Sequence, residues 1–324
     1  MRPPSRPVGI TAAVVTVLVW TSFIVIARAS AQRTLNPFDL AYLRILGAAI
    51  VLLPWGAWMV RRRGLQGWLG VSPLPLRLTA LLGFFGGFLY ALLAYAGFFF
   101  APAAHGSVLM PGSLPLWTTL LAMLLLGERI SSTRGIGVGF IVAGGLLVGG
   151  GSLLQAFSGG SGMWRGDLLF MCASFCWATY TVLARKYALD AVQATIAIIT
   201  FAFVVYVPAY TALVLLDAVP SQLLRAPTGE IVFQLIFQGL GSVVISGITF
   251  TTMVQYFGPV RSTMITAFVP GMSALGAVIF LGEPLYWNLL AGLALATVGI
   301  LFGVRASRGN GSAEAIPTAD GARP

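Results

Sequence analysis

Charge, cysteine and histidine are all scarce. Of 324 residues only 9% are charged, against 58% hydrophobic, and the mean hydropathy is +0.91. A soluble domain carries roughly 25% charge, so this composition excludes a water-soluble globular protein and leaves a membrane protein. Two cysteines and one histidine exclude a Cys/His metal cage or a disulfide scaffold, so neither a metal nor a cofactor is expected. Cys172 and Cys176, four apart on one helix face, read as small apolar packing. Lys and Arg outnumber Asp and Glu by 19 to 9, but the polar surface is too small for nucleic acid to be the partner.

What is abundant is apolar sequence in long continuous runs. A helix needs roughly 20 apolar residues to cross a bilayer, and ten segments qualify: 8–29, 38–58, 78–98, 104–126, 134–151, 166–185, 191–216, 231–255, 260–281 and 287–304. The runs do not alternate in polarity, which argues against a barrel. The first resembles a signal peptide, yet its apolar stretch is too long and nine more follow, so it reads as a retained helix. Arg61, Arg62, Arg63, Arg129, Arg134, Arg185 and Lys186 fall on the N-terminal side of the membrane, whereas Arg28, Arg33, Arg165 and Arg225 fall on the other. The positive-inside rule therefore puts both termini in the cytoplasm, with residues 305–324 as a disordered tail.

The chain also resembles itself. Leu114-Pro115 matches Val269-Pro270, and Leu126-Gly127-Glu128 matches Leu281-Gly282-Glu283. Gly137 and Gly144 match Gly292 and Gly299, and Trp20 and Arg28 match Trp177 and Arg185. Two copies, 8–151 and 166–304, each hold five spans. An odd number inserts the second copy upside down, and inverted repeats are the architecture of alternating-access transporters.

Trp20-Thr21-Ser22-Phe23, Pro37, Ala41, Arg44 and Leu126-Gly127-Glu128-Arg129, with Gly282-Glu283 repeating in the second copy, resemble the EamA family of the drug/metabolite transporter superfamily. Within it the chain is most similar to exporters of aromatic amino acids of the YddG type. The resemblance implies ten helices around a central cavity, alternating access, and export of small amphiphilic metabolites through the inner (plasma) membrane. The second copy departs from the pattern, since residues 190–199 contain no counterpart of Pro37 or Arg44.

Several residues could line a path. Trp55, Trp58, Trp68, Trp164 and Trp287 sit near span ends, where tryptophan is common, but Trp20, Trp117 and Trp177 fall mid-span. A buried indole N–H wants an acceptor, so these three are expected to face a cavity or a helix contact. Tyr90, Phe98, Tyr180, Thr181, Thr252 and Gln255 extend the set into a site for a planar, small-molecule substrate. Pro111, Pro115 and Pro270 mark kinks or gates. Glu128 and Glu283, closing repeat-matched helices, are gate contacts or helix-end anchors. Arg44, two turns into its span, is read as a structural pair or gate, with binding of a carboxylate, on substrate or protein, or snorkelling outward as the alternatives.

Gly135, Gly139, Gly145 and Gly149 on the fifth span, with Gly299 and Gly303 on the tenth, suggest close helix packing within one chain or between chains, although a monomer suffices. The acids Asp39, Glu128, Asp167, Asp190, Asp217, Glu230 and Glu283 all lie near span ends or in loops. With none at mid-depth, passive facilitation or exchange is expected rather than proton pumping. His105 reads as an interfacial histidine. His105-Gly106-Ser107 offers a base and a nucleophile, but adjacent helical positions diverge by about 100 degrees, so an intramembrane enzyme is disfavoured. The rival cargoes are a nucleotide sugar, for which the spans supply too few cations, and an organic cation, which aromatic faces attract.

Overall fold

A computed structural model describes residues 5–65, 67–128, 130–156, 162–257, 262 and 265–311. Among these residues there is no strand. The helices are α1 (Arg6–Ser30), α2 (Pro37–Arg63), α3 (Leu76–Phe100), α4 (Ala103–Leu126), α5 (Ser132–Ala156), α6 (Met163–Lys186), α7 (Ala191–Leu215), α8 (Thr228–Phe257), α9 (Val269–Leu281) and α10 (Trp287–Gly311). From α1 to α8 each is long and apolar enough to cross a membrane, whereas the apolar parts of α9 and α10 are shorter. For α9, residues 258–261, 263 and 264 of the expected span lie outside the described residues. Helix α10 continues past Arg305, where a disordered tail was expected, as far as Gly311, and residues 312–324 lie outside the described residues.

Local sequence explains the boundaries. The Asn36 side chain accepts from the Asp39 amide while Asp39 accepts from the Asn36 amide, a capping box that starts α2 with Pro37 in its first turn. Asp190 caps α7 through the amides of Val192 and Gln193. The repeated Leu-Gly-Glu motif is one turn used twice. Gly127 and Gly282 take left-handed φ values of 69° and 64°, and the next amides reach back, Glu128 to the Ala122 carbonyl and Glu283 to that of Ala277. This Schellman closure favours glycine, and it leaves each glutamate side chain free to point beyond the helix end.

Two features depart from uniform α-helix. Helix α4 is two helices, Ala103–Leu109 and Leu114–Leu126, separated by a turn that contains Pro111. Pro115 and Pro270 sit in the first turn of a new helix, where no intrahelical donor is lost. The prolines therefore mark helix starts rather than bends within continuous helices. The prolines inside continuous helices are Pro54 in α2 and Pro208 in α7. Stretches of α3 (Phe84–Leu89) and α8 (Leu235–Ile245) are wound as π-helix.

Several helix contacts are matched under exchange of α1–α5 with α6–α10. Helix α1 packs on α8 and α9, as α6 packs on α3 and α4, and α2 packs on α8 as α7 does on α3. Helices α2 and α7 meet each other, as do α5 and α10. The α5–α10 crossing runs backbone to backbone. A Cβ on Gly144 would stand 2.6 Å from the Gly292 carbonyl oxygen, and one on Gly299 2.5 Å from that of Gly137. Close packing by glycine was expected here, but Gly137 and Gly144 provide it. Gly139 faces open space, and Gly135, Gly145 and Gly149 make only ordinary contacts. Gly299→Val is therefore expected to cost about 1–3 kcal/mol, read as a lower thermal midpoint in detergent. Gly139→Ala, which meets nothing, should hold the midpoint or raise it.

Candidate functional site

Three side-chain groups stand out within this frame. The first is aromatic. Tyr90 of α3 lies 4.9 Å, ring to ring, from Trp177 of α6, which in turn meets Tyr180 at 5.0 Å. The Tyr90 hydroxyl points at the Met110 sulfur, 3.9 Å away, at the break in α4. Trp20, the sequence counterpart of Trp177, stacks on Phe250 of α8 at 5.2 Å. Each of these two tryptophans thus meets an aromatic ring on the other half of the chain.

Other expected lining residues stand elsewhere. Phe98 is fully buried, edge-on to Phe170 at 4.7 Å and also against Phe23, so it packs in the core. Trp117 meets Phe175 edge-on at 5.4 Å, and its buried indole nitrogen has no acceptor. The hydroxyls of Thr181 and Thr252 donate back to Trp177 and Ile248 of their own helices, and both Thr181 and Gln255 are exposed. The structure therefore brings together Tyr90, Trp177 and Tyr180, but not Phe98, Thr181 or Gln255. An open recess of about 450 Å³ lined by Arg77, Ala80, Leu81, Phe84 and Phe201 contains none of the expected residues.

The second group is a polar cluster between α2, α3 and α8. Glycines let α2 and α8 approach closely, since a Cβ on Gly47 would strike the Leu235 carbonyl and one on Gly239 the Gly47 backbone. One turn away, Arg44 Nη1 donates to Ser242 Oγ at 2.6 Å, and its guanidinium lies over the Phe23 ring, 5.3 Å from the centroid. Tyr90 and Tyr95 of α3 both stand near Arg44. The Tyr95 hydroxyl donates to Gln238 Oε1 at 2.9 Å. A turn further, Gln234 Nε2 donates to Ser30 Oγ at 2.7 Å. Gln234 and Gln238 are 1% and 0% exposed, yet Gln234 Oε1 and Gln238 Nε2 have no partner. Tyr95, Gln234, Gln238 and Ser242 were missed in the sequence reading. The available signal was the spacing of Gln234, Gln238, Ser242 and Ser246, polar residues four apart in an apolar span.

The third group is a matched set of ion pairs. At one end of the bundle Arg28 Nε meets Glu283 Oε1 at 2.9 Å. Arg28 Nη1 also donates to the Phe98 carbonyl at 2.6 Å, and the Glu283 carboxylate accepts from the amides of Ala103 and Ala104. At the opposite end Arg185 Nη2 meets Glu128 Oε1 at 2.5 Å, with Arg134 sharing Glu128 at 3.4 Å. Arg28 and Arg185 are sequence counterparts, as are Glu283 and Glu128, and each of these pairs joins the two halves. They are unequally enclosed. The Arg28 and Glu283 side chains are 19% and 11% exposed, against 63% for Arg185 and 28% for Glu128.

His105 and Asp39 are engaged elsewhere. His105 Nδ1 lies 2.8 Å from Asp167 Oδ1, and Ser107 Oγ donates to the Ala104 carbonyl, so the two do not form a nucleophile–base pair. Asp39 is fully buried and accepts from Tyr210, Ser221 and the Gln222 amide besides its capping bond. No group of three or more His, Cys, Asp or Glu side chains suited to a metal occurs among the described residues.

Fold and site together define a multi-pass, all-helical membrane protein with ion pairs tying its halves at both ends. The chain belongs to the EamA-like transporter family, whose sequence profile matches residues 7–150 and again 164–305. It is 23% identical over 239 residues to the uncharacterized transporter YyaM of Bacillus subtilis, covering 72% of this chain and 75% of that protein. It is 30% identical over 190 residues to an uncharacterized transporter of Archaeoglobus fulgidus, covering 58% and 61%. A solved crystal structure shares the fold at a TM-score of 0.58 and 22% identity, covering 95% of this chain and 100% of the other.

Proposed function

We propose that this membrane transporter exports small metabolites across the inner (plasma) membrane by alternating access, and that its cargo is an aromatic or other neutral amino acid. In this reading ten spans form two inverted five-helix repeats with both termini in the cytoplasm, and cargo binds between them near Tyr90, Trp177 and Tyr180. Trp20, Trp117 and Thr252 border the route. One observation carries the reading: counterpart residues form cross-half ion pairs at both ends, Arg28 with Glu283 and Arg185 with Glu128. A device that opens to each side in turn needs one closure per face, and an inverted duplication supplies the second from the first. On the orientation given by the basic residues, the tight closure is the outer one and the looser faces the cytoplasm. Pro111, Pro115 and Pro270 stand where α4 and α9 begin anew, with the glutamates of the two closures at the far ends of those helices. With no acid at mid-depth, exchange or facilitation follows.

The test is efflux of labelled L-phenylalanine from proteoliposomes. Trp177→Ala is expected to cut the flux by up to about tenfold, as loss of a ring contact worth about 0.5–1.5 kcal/mol implies, while the thermal midpoint stays near that of the wild type. Wild-type vesicles that release no amino acid would overturn the cargo. The Tyr90–Trp177–Tyr180 cluster favours one second reading, an organic cation held on aromatic faces. Efflux of phenethylamine in preference to phenylalanine would select it.

A further inference from the structure

A guanidinium within the membrane-spanning core is costly unless a counter-charge accompanies it. Arg44 has none: among the described residues no carboxylate lies within ion-pair distance of it. It has five N–H donors, and the groups that face it are neutral, the Ser242 hydroxyl that accepts from it and the Tyr95 hydroxyl beside it. On the next turn of α8, Gln238 spends its carbonyl on Tyr95 and is left with a fully buried amide nitrogen that has no acceptor. A cation short of an anion thus stands in one cluster with a buried donor short of an acceptor. A carboxylate has the charge for the first and the lone pairs for the second.

The backbone is also shaped for a ligand here. Gln238 and Ser242 lie within the π-wound stretch of α8, and the π-wound stretch of α3 ends just before Tyr90. Such segments often mark functional sites. Tyr90 stands near Arg44 and touches Trp177, so it joins the charged cluster to the aromatic one.

We propose that Arg44 and Gln238, with Tyr95 orienting the Gln238 amide, form the subsite that binds the carboxylate of the cargo while its side chain reaches Tyr90 and Trp177. This rests on the transporter reading above and adds that the cargo must carry a carboxylate. Arg44 is held by Ser242 and the Phe23 face, and the arriving carboxylate supplies the missing counter-charge. A cargo of that kind stabilises the core it enters.

The full-length protein in nanodiscs is assayed for thermal stabilisation and affinity with four probes: L-phenylalanine, 3-phenylpropionate, phenethylamine and L-alanine. The wild type should bind the two ring-bearing carboxylates and not phenethylamine. Arg44→Gln should weaken them about ten- to a hundredfold, the range for a lost charge-assisted bond. Its ligand-free midpoint should be unchanged or higher, because removing an uncompensated buried charge offsets the lost contacts. A purely structural arginine would instead lower that midpoint and leave affinity intact in the folded fraction. Gln238→Met, similar in size and without the donor, gives an independent reading: it should weaken the carboxylates in the folded fraction, and its ligand-free midpoint should fall because the Tyr95 hydroxyl loses its acceptor. Carboxylate affinity that survives both substitutions, or phenethylamine bound best by the wild type, overturns the subsite. If L-alanine alone binds and does so through Arg44, the aromatic cargo falls and the subsite stands. If no carboxylate binds, the subsite falls, and vesicle efflux judges the transporter reading separately.

Discussion

Glu283→Gln is expected to loosen one end of the molecule while Glu128→Gln leaves the other nearly as it is. Glu283 makes a charged bond to Arg28 and caps two backbone amides, all at low exposure. Losing the charge removes about 1–3 kcal/mol of closure, which shifts a two-state equilibrium roughly five- to 150-fold. The Arg185–Glu128 pair is more exposed, and such pairs contribute about 0–1 kcal/mol. Hydrogen–deuterium exchange reads the difference directly, because the Ala103 and Ala104 amides are held by the Glu283 carboxylate. Peptides covering 101–110 should exchange about ten times faster or more in Glu283→Gln and at the wild-type rate in Glu128→Gln. Equal acceleration in both variants, or none in either, would remove the latch from the mechanism.

The largest loss of stability is expected at Asp39. Its side chain is fully buried and holds the start of α2 to α7 through Tyr210 and to the segment before α8 through Ser221 and Gln222. Asp39→Ala strands those donors in a closed site and removes half of the α2 capping box. The expected cost is about 3–5 kcal/mol, the range for breaking a buried charged network. Asp39→Asn keeps one acceptor oxygen and should fall between the wild type and Asp39→Ala. Thermal unfolding followed by the accessibility of the buried Cys176 thiol checks the order. An Asp39→Ala protein as stable as the wild type would show that these bonds have substitutes.

Helix positions were readable because long apolar runs need no knowledge of neighbours. The paired Leu-Gly-Glu turns were readable for a related reason: a left-handed helix end restricts residue choice, so it leaves the same letters twice. The ion pairs were half legible. Arg28, Arg185, Glu128 and Glu283 could be matched along the chain, but matching positions does not reveal that each arginine reaches a glutamate of the other half. Side-chain direction was the main obstacle. The Tyr90–Phe100 part of α3 and the whole of α6 have no markedly more apolar face, so no stripe in the sequence tells Phe98, which packs inward, from a lining residue. Winding was invisible too, since hydropathy sums over a span and is blind to whether its hydrogen bonds skip four residues or five. That is why the π-wound stretch bearing Gln238 emerged only from the structure, and why Pro111 and Pro115 signalled a kink in α4 but not a full break.

The glycine seam between α5 and α10 has a mechanical meaning. Interlocked side chains fix the angle of most helix crossings, because rotation would force ridges over one another. Gly144 meets Gly292 and Gly137 meets Gly299 backbone to backbone, while Val148 and Ile141 of α5 fill the spaces that Gly292 and Gly299 leave. The seam is a keyed joint: the missing side chains on one helix are the sockets for those on the other, which holds the two at one short distance and one angle. Adding bulk there would push the keys out of their sockets.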